Sequence, residues 1–501
     1  MGVTRLGHRP SLNTGNSRPA SAPTAEPKPA GSGASKPAGG WKAGAVGKIK
    51  DATIAPSQIS RALAEGLKKR QVMLANPARA QRPAAVLPED LSLKVRTMHM
   101  AVTAGDITGG ELIPQMARIG KKEGFEVLVR TLPFWKAEQE KKFKALGLDN
   151  VRVIAMETPS LEGGDFWTED HGDLDAAGGV AVPAMLHQGR ISGFTGQSEA
   201  LGARLTRGWK DAHAVPVVGA VGMRDAQQSL VALAVATGRP LRVNLSHVEG
   251  GNQLTGTLPS GERYALVGKD SVAVTQVMLE RETGKKVTVA DAKKAIAADL
   301  GIDAKHVFDI EQPGDFHLDM AMSVMKPGQV LLNDARGALE LQTKWLQDDH
   351  AAKKPAAKPG EAPEKFKKRM AEWNEAGKEL GEQLTKLKKA TAVKVGLEKM
   401  AEADLKAAGL EVVRAPAVFL DADFPQKQRM NFLNGEGGTN PAGKQFFITQ
   451  GGDKRAQDAF KVVMETHVGV DRVHFLDKEL SRLTLGDMGG ISCRARAEGT
   501  V

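Results

Sequence analysis

The chain has 501 residues, one cysteine, 55 glycines, 25 prolines and only 4% aromatic residues. One thiol excludes a disulfide framework, no apolar run reaches the ~18 residues of a membrane span, and the first thirty residues lack the apolar core of a secretory signal. The net charge of +10 sits in two atypical segments, +9 in residues 1–92 and +5 in residues 350–390, so the remaining body is near −4 and a nucleic-acid partner for it is disfavoured.

From Met1 to about Gly47 the sequence is Pro, Ala, Gly, Ser and Lys, a composition that buries too little apolar surface to offset its ordering entropy. Residues 1–56 are therefore expected to form a disordered basic tail. Residues 57–76 read as a short basic amphipathic helix, and with the proline-marked linker that follows they occupy 57–92. The packed domain is expected over 93–501. Within it, strand-like runs at 125–132, 151–156, 214–222, 263–269, 329–334 and 444–450 alternate with helix-like runs at 229–238 and 288–301, an α/β pattern. A Lys-rich stretch at about 346–390 has helical charge spacing without a wide apolar stripe and reads as a surface insertion. Glu-Gly-Gly at 162–164, 249–251 and 436–438, with Gly-Gly at 489–490, is what a pseudo-repeated strand-and-loop unit leaves behind.

Four segments carry candidate chemistry. Cys493 follows a glycine-rich approach, Gly486-Asp-Met-Gly-Gly-Ile-Ser-Cys493, and Gly489 and Gly490 permit close backbone approach to a ligand. In Asp315-Phe-His317-Leu-Asp319-Met a strand would place His317 and Asp319 on one face, an imidazole beside a carboxylate suited to acid–base work. Phe166-Trp167-Thr-Glu169-Asp170-His171-Gly-Asp173 gathers acidic and imidazole groups behind an aromatic pair, and His247-Val-Glu249-Gly-Gly-Asn252 sets a carboxylate before two glycines. Taken singly, each also reads as an ordinary buried cysteine, a solvated strand face or a turn.

Together and in this order the four segments resemble the guanidino-group-modifying enzymes, the pentein superfamily of arginine, agmatine and peptidyl-arginine deiminases. Trp167-Thr-Glu-Asp170 is similar to the agmatine and protein-arginine deiminase segment, Glu249-Gly-Gly-Asn252 to that of agmatine and arginine deiminases, and Gly489-Gly-Ile-Ser-Cys493 to the agmatine deiminase nucleophile loop. Asn431-Phe-Leu-Asn434-Gly resembles the asparagine-bearing strand upstream of that loop. The resemblance covers roughly 93–501 without the insertion. It implies a five-bladed α/β propeller of pseudo-fivefold ββαβ units, with Cys493 and His317 catalytic and Asp170, Asp319, Glu249, Trp167 and Asn434 binding substrate. The implied reaction is hydrolysis of a guanidinium group, of free or peptidyl arginine in preference to agmatine, to a ureido product and ammonia.

The residue chemistry agrees with that implication. A guanidinium is cationic at neutral pH and is gripped by carboxylates in a fork, and a thiolate is the strongest side-chain nucleophile for its carbon. No cofactor is expected, although the acidic run 162–175 leaves calcium open. Departures from the family pattern are Glu169, where agmatine deiminases carry arginine, and the lack of a clear arginine for a substrate carboxylate, Arg242 and Arg494 being the candidates. Amidino transfer shares the same covalent intermediate. Outside that class stand a metal-dependent hydrolase built on His171, His247 and His317, and a non-catalytic binding protein whose basic tail and insertion hold an acidic partner. The expected location is cytoplasmic, with non-classical secretion left open, and the oligomeric state is not legible.

Overall fold

The computed structural model describes residues 53–75, 83–102, 107–157, 168, 172–183, 193–194, 217–218, 223–248, 250–313, 317–486 and 489–501. The expected disordered tail lies outside them, apart from the four residues 53–56. The fold is mixed α/β.

Among the described residues, five units share one strand order: a first strand antiparallel to a middle strand, which is parallel to a third. They are Asp173–Leu174 with Val180–Val182 and Leu241–Val243, then Gln253–Thr257 with Arg263–Gly268 and Val307–Ile310. Next come Met322–Val324 with Gln329–Asn333 and Glu411–Ala415, and Glu436–Thr439 with Gln445–Thr449 and Arg472–Phe475. The remaining unit is made by the two ends of the domain, the C-terminal strand Ala495–Thr500 pairing with Lys94–Ala101, which pairs with Glu126–Thr131. The parallel pairs require crossovers, and helices supply them: Ile107–Glu123, Met223–Thr237, Lys269–Thr283 with Val289–Leu300, Ala335–Ala352 with Pro363–Ala407, and Lys454–Val463. Five of the six strand-like runs coincide with strands. Of 214–222 only Val217–Val218 is described.

The helices form for local reasons. Val289–Leu300 opens on a capping box, with the Thr288 side chain accepting from the Asp291 amide and Asp291 answering, and it closes on Gly301 at φ 66°. The basic helix predicted at 57–76 is present as Pro56–Ala75. Packing reaches N-terminal of residue 93: Ile59 joins the main apolar core, and Arg70 is buried, donating to both Glu282 carboxylate oxygens at 3.1 and 2.6 Å and to the carbonyls of Asn244 and Leu245. Residues 346–390 belong to the helical crossover of the Met322–Val324 unit. Much of that span is exposed, but Leu384 and Leu387 pack with Leu420 and Ala422, and beyond it Ala401 and Leu405 reach the core around Leu318 and Leu332. No helix of the described residues is long and apolar enough to cross a membrane.

Candidate active site

Short segments precede the first strands of the units, and four candidate residues sit in three of them: His317 and Asp319 in 317–321 before Met322–Val324, Asn434 in 431–435 before Glu436–Thr439, and Cys493 in 489–494 before Ala495–Thr500. This shared position brings together four groups that are far apart in sequence.

Residues 317–320 differ from the sequence expectation. They are not a strand: Leu318–Met320 is one turn of 3₁₀ helix with His317 extended before it, closed by the Ala321 amide donating to the Leu318 carbonyl at 2.9 Å. Alternation therefore does not put His317 and Asp319 side by side. They are neighbours because both press on Gly251, where a Cβ would lie 2.3 Å from His317 Nδ1 and 3.2 Å from Asp319 Oδ1. Only glycine admits that approach.

Asp319 is the hub. Its Oδ2 accepts from Ser492 Oγ at 2.6 Å, from Asn434 Nδ2 at 2.6 Å and from the Cys493 thiol at 3.2 Å. Its Oδ1 is buried and has no hydrogen-bond partner among the described residues. Cys493 stands on the single helical turn Ile491–Arg494. Asn434 Nδ2 lies 3.2 Å from the sulfur, while Asn434 Oδ1 accepts from the Ser492 amide at 3.0 Å. The Asn434 turn is itself fixed by Asn431, whose Oδ1 takes the amides of Leu433 and Asn434 and whose Nδ2 donates to the Met320 carbonyl. Asp319 and Cys493 are each 2% exposed and His317 5%, so polar interactions here act with little water to screen them.

Beneath Asp319 a cavity of about 20 Å³ is lined by Asp319, Ser492, Glu436 and Glu89, with apolar walls that include Leu254 and Leu433. Burial, reinforced by Glu89, pushes the Glu436 carboxyl well above the usual carboxylate range. Burial also raises Glu89 to about 7, with Arg496 opposing. Arg496 lies 3.1 Å from Glu89 and 2.8 Å from Asp173, and Gln253 Nε2 donates to both oxygens of Asp173 at 3.0 Å. Members of four first strands, Asp173, Gln253, Glu436 and Arg496, thus contribute to one buried polar cluster.

Of the predicted residues, Cys493, His317, Asp319 and Asn434 fall within one neighbourhood. Trp167, Asp170 and Glu249 lie outside the described residues, as does most of the acidic run 162–175 proposed for calcium. Within that run Asp173 is committed to Arg496 and Gln253, and Asp175 accepts from the Ala177 and Gly179 amides. Arg242 donates to the Asp299 carbonyl at 2.6 Å and stands 3.7 Å from Asp175, while Arg494 is buried beside Cys493. Sequence reasoning passed over Ser492 and Asp299. The Asp299 carboxylate accepts from the Leu245 and Ser246 amides at 2.8 Å each and from Ser246 Oγ at 2.6 Å, anchoring the run that leads to Glu249, and burial raises it to about 6. The Glu-Gly-Gly echo pointed at Gly251 and Glu436 but misled on register: 249–251 precede a first strand, whereas 436–438 lie inside one.

No protein-family model and no curated protein matches the sequence. Solved structures with a similar fold are found. A structural-genomics protein assigned as an agmatine deiminase is 15% identical with a TM-score of 0.47, and the match covers 84% of this chain and 100% of that one. The agmatine deiminase of Enterococcus faecalis gives 12% identity and a TM-score of 0.44 with the same coverages. A cysteine-to-serine mutant of DDAH from Pseudomonas aeruginosa, complexed with citrulline, gives 11% and 0.31, covering 81% of this chain and 100% of that one.

Proposed function

We propose that the protein is a cysteine-dependent deiminase of a guanidino compound, with the arginine side chain, free or in a peptide, as the preferred substrate. The observation that carries this reading is the meeting of the chain's one thiol with the Asp319 carboxylate at 3.2 Å, beside His317. The order of the sequence motifs supports it, and the five repeated units support a five-bladed propeller.

In this reading Asp319 offers Oδ1, the oxygen without a partner among the described residues, to a guanidinium N–H, and Asp170 and Glu249 complete the carboxylate grip. The Cys493 thiolate attacks the guanidinium carbon, forming a C–S bond and a tetrahedral adduct. The adduct collapses as a C–N bond breaks; His317, as imidazolium, donates its proton to the leaving nitrogen, and ammonia departs. A thiouronium remains on Cys493. Neutral His317 then takes a proton from water as the water oxygen attacks the same carbon. Collapse breaks the C–S bond and the adduct's hydroxyl proton passes to solvent, where the released ammonia takes it up as ammonium; the ureido product leaves and the thiolate is restored. No cofactor enters the scheme.

The test is direct. Incubation with arginine, a blocked arginine peptide and agmatine, with and without calcium, should yield equal amounts of ammonia and ureido product from at least one compound. Cys493→Ser and His317→Ala should abolish it. Persisting turnover in Cys493→Ser, or no reaction of the native protein with any guanidino compound, refutes the proposal.

A further inference from the structure

The family resemblance implies a substrate-binding role for Asn434, but the amide has little left to offer a substrate. Nδ2 carries two protons and lies 2.6 Å from Asp319 Oδ2, 3.2 Å from Cys493 Sγ and 3.5 Å from Met320 Sδ, while Oδ1 already accepts from the Ser492 amide. That last bond determines which way the amide points: with Oδ1 held by an N–H donor, the NH₂ end must face the carboxylate and the sulfur. Glycine at 490 is what admits the arrangement, since a Cβ there would fall 2.2 Å from Asn434 Oδ1.

We propose that Asn434 is a positioning residue for the nucleophile, a neutral N–H donor wedged between Asp319 and Cys493 that lets a thiolate form beside a carboxylate. The inference deepens the reading of Cys493 as nucleophile and rests on it. Without the amide, ionising the thiol would set two negative charges together without this donor between them, where Asp319 and Cys493 are each only 2% exposed. Among the described residues, the titratable and charged groups on the elements packed around the sulfur include Asp319 and His317 on the 317–320 turn, Glu436 at the head of its strand, Glu89 across the small cavity, Arg494 next in sequence, and Arg496, which pairs with Glu89 at 3.1 Å. Asn434 adds to these a neutral group whose N–H is directed at the sulfur.

The composition makes the test clean. A thiolate is followed by its ultraviolet absorbance, which the thiol lacks; Cys493 is the one cysteine, and Tyr264 is the one tyrosine. Burial, with Asp90 and Glu89 adding to it, pushes the Tyr264 phenol far above its usual range, so its ionisation stays out of the signal. Full-length protein would be titrated by absorbance against a Cys493→Ser blank, alongside Asn434→Ala and the near-isosteric Asn434→Leu, each checked for native near-ultraviolet circular dichroism.

The expected result is an upward shift of the thiol titration by about one unit in both variants, an approximately tenfold loss of thiolate at a fixed pH below the midpoint. Gly490→Ala, which turns the amide without deleting it, should shift the midpoint the same way and carries the test if neither Asn434 variant folds. An unchanged midpoint in a natively folded variant overturns the inference, and so does an unchanged midpoint accompanied by a raised KM, the signature of a substrate-gripping residue. Since the readout is ionisation and not turnover, a native protein silent toward guanidino compounds would sink the proposed function while leaving this titration interpretable.

Discussion

Gly251→Ala perturbs the site by a single methyl group. Its Cβ would lie 2.3 Å from His317 Nδ1 and 2.9 Å from His317 Cγ, whereas ordinary contact begins at 3.4 Å, so the imidazole must retreat by about 1.1 Å. The atoms struck belong to a ring close to its own backbone and 5% exposed, not to the free end of a long side chain, so the displacement passes into the 317–320 turn. Overpacking of this kind costs roughly 1–3 kcal/mol of stability. A misplacement near 1 Å of an acid–base group costs about 10²-fold in rate. The expected phenotype is a folded protein with kcat/KM for its guanidino substrate reduced roughly 100-fold, mostly in kcat, and a modest drop in urea midpoint. Ammonia release under steady-state conditions reads the first and chemical denaturation the second. Native kcat/KM in Gly251→Ala would show that His317 does not act where the structure puts it.

Arg496→Met should cost about 3–5 kcal/mol, since it strips the cation from Glu89 and Asp173 and leaves buried carboxylates uncompensated. Part of that loss should be recovered as pH falls and Glu89, already raised to about 7, takes up a proton; urea midpoints at two pH values read both effects. Asp299 is a carboxyl with a raised folded-state value, about 6 against 3.8, so the native state binds its proton more tightly than the unfolded chain and stability falls as pH rises through that window. Asp299→Asn removes that slope, and relative to wild type it should therefore gain about 2 kcal/mol between pH 4 and pH 7. A pH-independent difference between the two proteins would contradict it. Arg70→Ala frees the helix Pro56–Ala75 from Glu282 and two carbonyls and should lower stability by about 2–3 kcal/mol, seen as a reduced melting temperature.

Several features of this protein were legible in the sequence because their causes are local. Hydrophobic runs marked strands such as Arg263–Gly268 and Gln445–Thr449, and capping chemistry bounded Val289–Leu300. Charge counting confined the excess of +10 to residues 1–92 and 350–390, and cysteine counting by itself singled out Cys493. The tertiary structure decided the rest. Residues 317–320 alternate apolar and polar like a strand, yet they form a 3₁₀ turn whose Asp319 carboxylate collects donors from Asn434, Ser492 and Cys493, separated from it by 115, 173 and 174 residues. No local pattern encodes such bonds, because they depend on which pre-strand segments the repeated units set next to one another. The same holds for Arg496, Glu89, Asp173 and Glu436, which read in sequence as scattered charges and become one buried cluster only when first strands from separate units meet. Side-chain periodicity specifies a face within an element, and only long-range packing specifies what that face meets.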